Sequence, residues 1–212
     1  MDFRKPLGKP FEAPFQPTVA KYTDNYIIMM SASKMFSYAG QRIAVLAISD
    51  KLYSRGYPAL QERYRIARLG DALILGILYA VSSGTSHSAQ YAMAAMLKAA
   101  ADGDLDFVGD TSEYARRAAE TKRMFMDNGF HIVYSKGGEE EVSDGFFYTV
   151  GYKELTGAEL MRDLMLCGIC SISLSLTGSQ QNGVRICVSQ LNRPEQFDLL
   201  NARLELFKEI HP

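Results

Sequence analysis

Two short apolar runs near the start of the chain show no polar alternation, Tyr26 to Met30 with Ile27 and Ile28, and Arg42 to Ile48. Runs of this kind suit strands covered on both faces of a parallel sheet. Before them, Pro6, Pro10, Pro14 and Pro17 fall too close together for a helix or a central strand, so residues 1–25 read as loop. After them the period lengthens. Residues 58–81 read as mostly helical, and Tyr91 to Ala101 sets Ala92, Met93, Met96, Leu97 and Ala100 on one helical face. Strands joined to long helices point to an α/β architecture.

A second pattern begins near residue 108. Asp110 and Glu113 have the spacing of a capping box, and Tyr114, Ala118, Thr121 and Phe125 continue as a helix that stops at Asn128-Gly129. His131 to Ser135 and Phe146 to Val150 read as strands around a polar turn from Lys136 to Asp144. Thr156 with Glu159 opens a helix carrying Leu160, Leu164 and Cys167. Ile169 to Leu176 and Val184 to Val188 read as two further strands, and Asn192 with Glu195 as the cap of a last helix with Phe197, Leu200, Leu204 and Phe207 inward. The expected division is therefore 1–108 and 109–212, the second part a smaller α+β domain.

Composition narrows the function classes. Of 212 residues 47% are hydrophobic and 22% charged, which is ample for a core. Lys plus Arg total 23 and Asp plus Glu 24, a balance that argues against a nucleic-acid or polybasic membrane binder. Ala72 to Val81 is too short for a membrane span, and no apolar leader precedes the prolines. Cys167, Cys170 and Cys187 are an odd number, in keeping with a reducing, cytoplasmic setting. Cys167 and Cys170 form a C-x-x-C without a second pair or a nearby His, so no metal site is expected.

The chemistry concentrates around Lys34. It follows directly on the first apolar run, at the strand end where open α/β sheets bind ligands. An amine held there can act as a nucleophile toward a carbonyl. Ser31 lies three residues before it and Arg42 eight after, a short hydroxyl donor and a bidentate cation of the kind that hold a phosphate. Gly40 would let the intervening loop turn tightly. The combination Ser31-x-Ser33-Lys34 followed by Gly40-x-Arg42 resembles the cofactor-lysine motif of the class I/II pyridoxal-phosphate (PLP) aminotransferases, of fold type I. The resemblance implies that Lys34 binds the cofactor and carries the proton at the substrate Cα, and that Ser31, Arg42 and, less centrally, Ser33 hold the cofactor.

Two more segments carry the likeness. Gly183-Val184-Arg185-Ile186-Cys187-Val188 resembles the family segment whose arginine binds the substrate α-carboxylate, which implies that role for Arg185. Ser82 to Ser88 resembles the family loop that reaches toward a partner subunit's cofactor phosphate; a plain N-capping loop fits it equally, and His87 reads as a loop histidine. The family further implies a D-x-x-Y pair before the lysine, whose aspartate pairs with the cofactor ring nitrogen. Before Lys34 the only aspartates are Asp2, with Lys5 three residues on, and Asp24, at the wrong end of its strand. The chain is thus expected to correspond to the C-terminal portion of such an enzyme: the end of the PLP-binding large domain, with its mostly parallel sheet, then the small α+β domain. The implied activity is amino-group transfer between an amino acid and a 2-oxo acid, weak or absent in this chain alone, in a family of homodimers. A non-catalytic remnant, a PLP-binding module and a PLP-dependent lyase of the same fold remain as alternatives.

Overall fold

The two apolar runs near residues 27 and 44 do form strands, but they pair with each other. In a computed structural model that describes residues 18–142 and 145–212, β1 (Ile27–Ser31) and β2 (Ala44–Ile48) make an antiparallel hairpin in the register Ile27↔Ile48 to Ser31↔Ala44. This corrects the expectation of neighbouring strands in a parallel sheet. Their continuous hydrophobicity does not reflect double burial in this chain either, since Met29 is 80% exposed and Ile27 and Leu46 are also exposed. The second run begins as a strand two residues later than its apolar pattern because Arg42 takes a left-handed conformation, with φ of 51°. The expected loop over 1–17 lies outside the described residues.

The described residues fall into two compact units, one ending at Phe107 and the other running from Val108 to Pro212. The first holds the hairpin and a series of helices. Pro58–Tyr64 is helical, ends on a left-handed Arg65, and is followed by a continuous coil from Leu69 to Ser82 whose middle, Ala72–Tyr79, is wound as a π-helix. The π-helix is apolar on every side, and Ile74, Leu75, Ile77, Leu78, Tyr79 and Val81 are exposed. α1 (His87–Asp102) ends at Gly103, whose φ of 84° closes the last turn. Its buried Ala89 and Met93 pack with Ala32 and Ile43, tying the helix to the hairpin end that carries Lys34.

In the second unit α2 (Phe107–Asp127) starts three residues before the expected cap at Asp110. Glu113 does not cap it. Its carboxylate takes a forked pair of hydrogen bonds from Arg116 at 2.9 and 2.7 Å, which hold it down at about 2. Thr121 and Phe125 face inward, and Gly129 ends the helix with φ of 88°. A four-stranded antiparallel sheet follows in the order β3 (His131–Ile132), β4 (Phe147–Gly151), β6 (Val184–Cys187) and β5 (Ile172–Ser173). The expected strand from Ile169 to Leu176 is cut to two residues because Leu174–Thr177 wind into a 3-10 turn that closes on Gly178. The polar turn contains a small hairpin, Lys136–Gly137 against Glu140–Glu141, while Ser143 and Asp144 lie outside the described residues.

The helix α3 (Gly157–Leu166) follows β4 in the chain, and α4 (Pro194–Ile210) comes near its end. Thr156 and Glu159 form the expected capping box. The last helix is capped differently: Gln196 Oε1 accepts from the backbone N–H groups of Asn192 and Arg193, and Pro194 sits in the first turn, where its missing donor costs nothing. One face of the sheet and the three helices enclose Phe125, Val150, Leu160, Leu164, Val184, Leu204 and Phe207, all fully buried. At about 1.5–3 kcal/mol for each large apolar side chain, this cluster is the principal source of stability in the unit. Cys167 is buried beside it, which pushes its thiol up, and Cys170 and Cys187 are exposed; all three are free thiols.

Asp163 links α3 to the chain end. Arg162 Nε donates to its Oδ1 at 2.7 Å, and His211 Nε2 stands 3.2 Å from Oδ2, within ion-pair range without the alignment of a hydrogen bond. The neighbouring Arg162 guanidinium outweighs burial and lowers the carboxyl below its ordinary value. A depressed folded pKa stabilises the fold above the unfolded value of about 3.9, and that contribution disappears as pH falls through the folded value. Asp163→Asn is therefore expected to lower the denaturation midpoint at neutral pH and to flatten its fall below about pH 4, as read from urea titrations across the pH range.

Candidate active site

The end of the hairpin gathers four of the five side chains singled out in the sequence. Ser31 closes β1 opposite Ala44, and the chain turns at once into a short helical segment, Ala32–Met35, that carries Ser33 and Lys34. Ala32 makes this turn possible. Its N–H donates to Ile43 O at 3.2 Å and its carbonyl accepts from Phe36 and Tyr38, while its methyl is fully buried against Ile43, Ala89 and Met93. A larger side chain would not fit there.

Arg42 returns to the same end of the ladder, two residues before Ala44. Its left-handed backbone is held by its own Nη1, which donates to Ala39 O at 2.8 Å. The strained positions of this loop are Ser37, with φ of 52°, and Arg42, rather than Gly40, which lies in a 3-10 turn over open space. Such a conformation in a non-glycine residue costs on the order of 1 kcal/mol and marks a position worth testing for function. Lys34 and Arg42 are exposed, Ser31 and Ser33 half-buried. An amine, hydroxyls and a guanidinium at one strand end match the chemistry of a group bearing both an aldehyde and a phosphate.

The remaining segments are placed as follows. Ser82–Ser88 leads into α1, with Ser83 and Gly84 at positive φ; Ser86 Oγ meets Ser88 Oγ at 3.1 Å, and Gln90 Nε2 donates to Thr85 O. His87 is the first residue of the helix and is exposed. Asp24 lies beyond the far end of β1, where its carbonyl accepts from Ser49 Oγ. Arg185 belongs to the other unit, on β6, paired with Thr149 of β4 and Ile172 of β5. Its neighbours Val184 and Ile186 point into the core, so Arg185 must point to the opposite face. There its Cζ lies 4.3 Å from the centre of the Phe147 ring. Phe147 is the residue that the sequence pattern left unnoticed, because only strand register reveals which aromatic ring meets the arginine.

Residues 7–202 match the model of the family aminotransferase class I and II. The chain belongs to that family. Its enzymes depend on PLP. Among solved structures, an aromatic aminotransferase from Pyrococcus horikoshii has a TM-score of 0.67 at 15% identity, covering 95% of this chain and 48% of its own. L-threonine-O-3-phosphate decarboxylase from Porphyromonas gingivalis has a TM-score of 0.56 at 19% identity, with 94% and 52% covered. An α-aminoadipate aminotransferase from Thermus thermophilus, solved with N-(5'-phosphopyridoxyl)-L-leucine, has a TM-score of 0.57 at 16% identity, with 87% and 43% covered. At these identities the likeness establishes the fold. The chain spans about half the length of these solved relatives. No curated protein is significantly similar to it in sequence. Among the described residues no helix is long and apolar enough to cross a membrane, and no cluster of three metal-ligating side chains occurs.

The backbone that presents Arg185 in this aminotransferase-family chain begins at Gly183, whose φ is 140°. A Cβ there would stand 2.6 Å from Val150 O and 2.8 Å from Val133 Cγ2. Gly183→Ala is expected to destabilise the second unit by about 1–3 kcal/mol through backbone strain and displacement of β4, measured as a fall in the denaturant midpoint.

Proposed function

We propose that this chain carries the cofactor-lysine, phosphate-binding and carboxylate-binding residues of a PLP-dependent aminotransferase, which moves an amino group from an amino acid to a 2-oxo acid. The observation that carries the reading is the hairpin register that brings Ser31, Lys34 and Arg42 to one end of β1 and β2. When bound, PLP supplies an electron sink for the bond broken at the substrate Cα. Lys34 Nζ would hold the cofactor through its aldehyde carbon and would carry the proton at the substrate Cα. Ser31 Oγ and the Arg42 guanidinium would bind the phosphate, the first as a short donor and the second as a charged fork, with Ser33 as a lesser cofactor contact. Arg185 binds and orients the substrate α-carboxylate. Family membership over most of the chain supports this assignment, as does the pyridoxyl compound bound to one fold neighbour.

Decarboxylation is the second reading, favoured by two decarboxylases among the fold neighbours. Transfer predicts a new amino acid formed from an added 2-oxo acid, whereas decarboxylation predicts carbon dioxide release without one. Either reaction is expected to be slow with this chain alone. Asp24, the aspartate before Lys34 among the described residues, sits at the opposite end of β1 and cannot pair with a ring nitrogen held at Lys34.

Borohydride reduction of the chain with PLP, followed by peptide mapping, tests the site directly. One label per chain on Lys34 is expected, with none in Lys34→Ala. Arg42→Ala should weaken PLP binding by about tenfold or more, the size of a charge-assisted contact to phosphate. Labels scattered over surface lysines would overturn the assignment. A second measurement follows amino transfer from a panel of amino acids to 2-oxoglutarate; ordinary turnover by the 212-residue chain would refute the expectation that it is slow.

A further inference from the structure

We propose that Phe147 is a positioning residue for Arg185, its ring holding the guanidinium plane so that the forked edge is presented to a planar carboxylate. The inference rests on the reading of Arg185 as the carboxylate-binding side chain and adds the residue that aims it. Phe147 pairs with Cys187 and Thr149 with Arg185, so on an antiparallel ladder Phe147 and Arg185 are diagonal neighbours on one face. The Cζ–ring distance of 4.3 Å is the shortest among the described arginine–aromatic contacts, which otherwise run from 5.3 to 5.7 Å.

Stacking differs from ion pairing in what it leaves available. Arg116 spends Nε, Nη1 and Nη2 on the carboxylates of Glu113 and Glu120, and Arg117 directs Nε to Glu113. The fork of Arg116 is consumed, and that of Arg117 is engaged by Glu113 and by Ser189 O. A ring covers the face of a guanidinium but takes none of its five in-plane N–H donors. Among the described residues no carboxylate lies within ion-pair range of Arg185, and its side chain is half-buried on the face of the sheet. The result is a cation seated over a ring, with no protein acceptor on its side-chain donors among the described residues. A ligand with two coplanar oxygens then meets both donors at once, with less rotational freedom lost on binding. Phe147 itself acts through Arg185 and supplies no polar contact.

The test is NMR titration of the native chain and its variants with pyruvate, a planar 2-oxo carboxylate, alongside thermal unfolding of each protein. Arg185→Ala should abolish binding. Phe147→Leu should weaken it about fivefold, the scale of one ring–cation contact, while Phe147→Tyr, which keeps the ring face, should stay within about twofold of native. A trifluorophenylalanine at position 147 keeps the shape and withdraws ring electron density, so it should weaken binding with an unchanged unfolding midpoint; it also serves if Phe147→Leu fails to fold. Native-like binding by the leucine or fluorinated variant, with binding lost in Arg185→Ala, overturns the positioning role alone. Failure of the tyrosine variant to preserve binding overturns it as well. Absence of any Arg185-dependent binding in the native chain overturns the carboxylate reading and the positioning role with it.

Discussion

Antiparallel backbone pairing is the constraint on which both units depend. Each strand has side chains of period two, so once one residue is assigned to the core its neighbours are forced outward. In the second unit Val184, Ile186 and Val188 fill the space beneath the sheet, and Arg185 is driven to the other face by the same ladder. In the first unit, pairing β1 with β2 places Ser31 against Ala44 and returns Arg42 to the strand end that Lys34 has just left. Sites made this way inherit their precision from hydrogen-bonded backbone rather than from flexible side chains.

The two units differ in how much apolar surface they enclose. The second has a continuous core in which Phe125, Phe130, Tyr152 and Phe207 meet at ring distances between 4.8 and 5.2 Å. Among the described residues the first encloses Ala32, Ile43, Ala89 and Met93 in its cluster and leaves much of the π-helix and the outer hairpin residues exposed. Removing such apolar area from water is favourable at about 25 cal/mol per Å², so these faces are the natural places for further protein to pack. The small buried cluster is nonetheless in the right place, because Ala32, Ile43, Ala89 and Met93 lie directly behind the turn that carries Lys34.

Chemical division of labour among the arginines follows from their neighbours. Arg116 and Arg117 of α2 are bound into ion pairs with Glu113 and Glu120, contacts that stabilise only modestly where water screens them. Arg42 uses one nitrogen on its own loop, stabilising a left-handed backbone that would otherwise be unfavourable. Arg185 rests on an aromatic ring and keeps its donors. A family resemblance names the second and third of these; burial, bonding and register explain what each is able to do.

Much was determined locally. The Ser31-x-Ser33-Lys34 and Arg42 spacing, the Gly183–Val188 segment, the Thr156–Glu159 box and the helical faces of α1, α2 and α4 are all patterns within a few turns of chain, and they were legible without coordinates. Pairing was not. Nothing within Tyr26–Met30 says that its partner is antiparallel, because continuous hydrophobicity reports that a strand can be covered, not by what or in which direction. Three further outcomes were hidden too: the shortened strand at Ile172, the cap of α4 at Gln196 rather than Glu195, and the place of Phe147. The first two turn on close competition between neighbouring backbone conformations and capping side chains, which a pattern of residue types leaves open. The third, like the strand pairing, depends on which residues meet across long stretches of sequence, and only tertiary structure decides that.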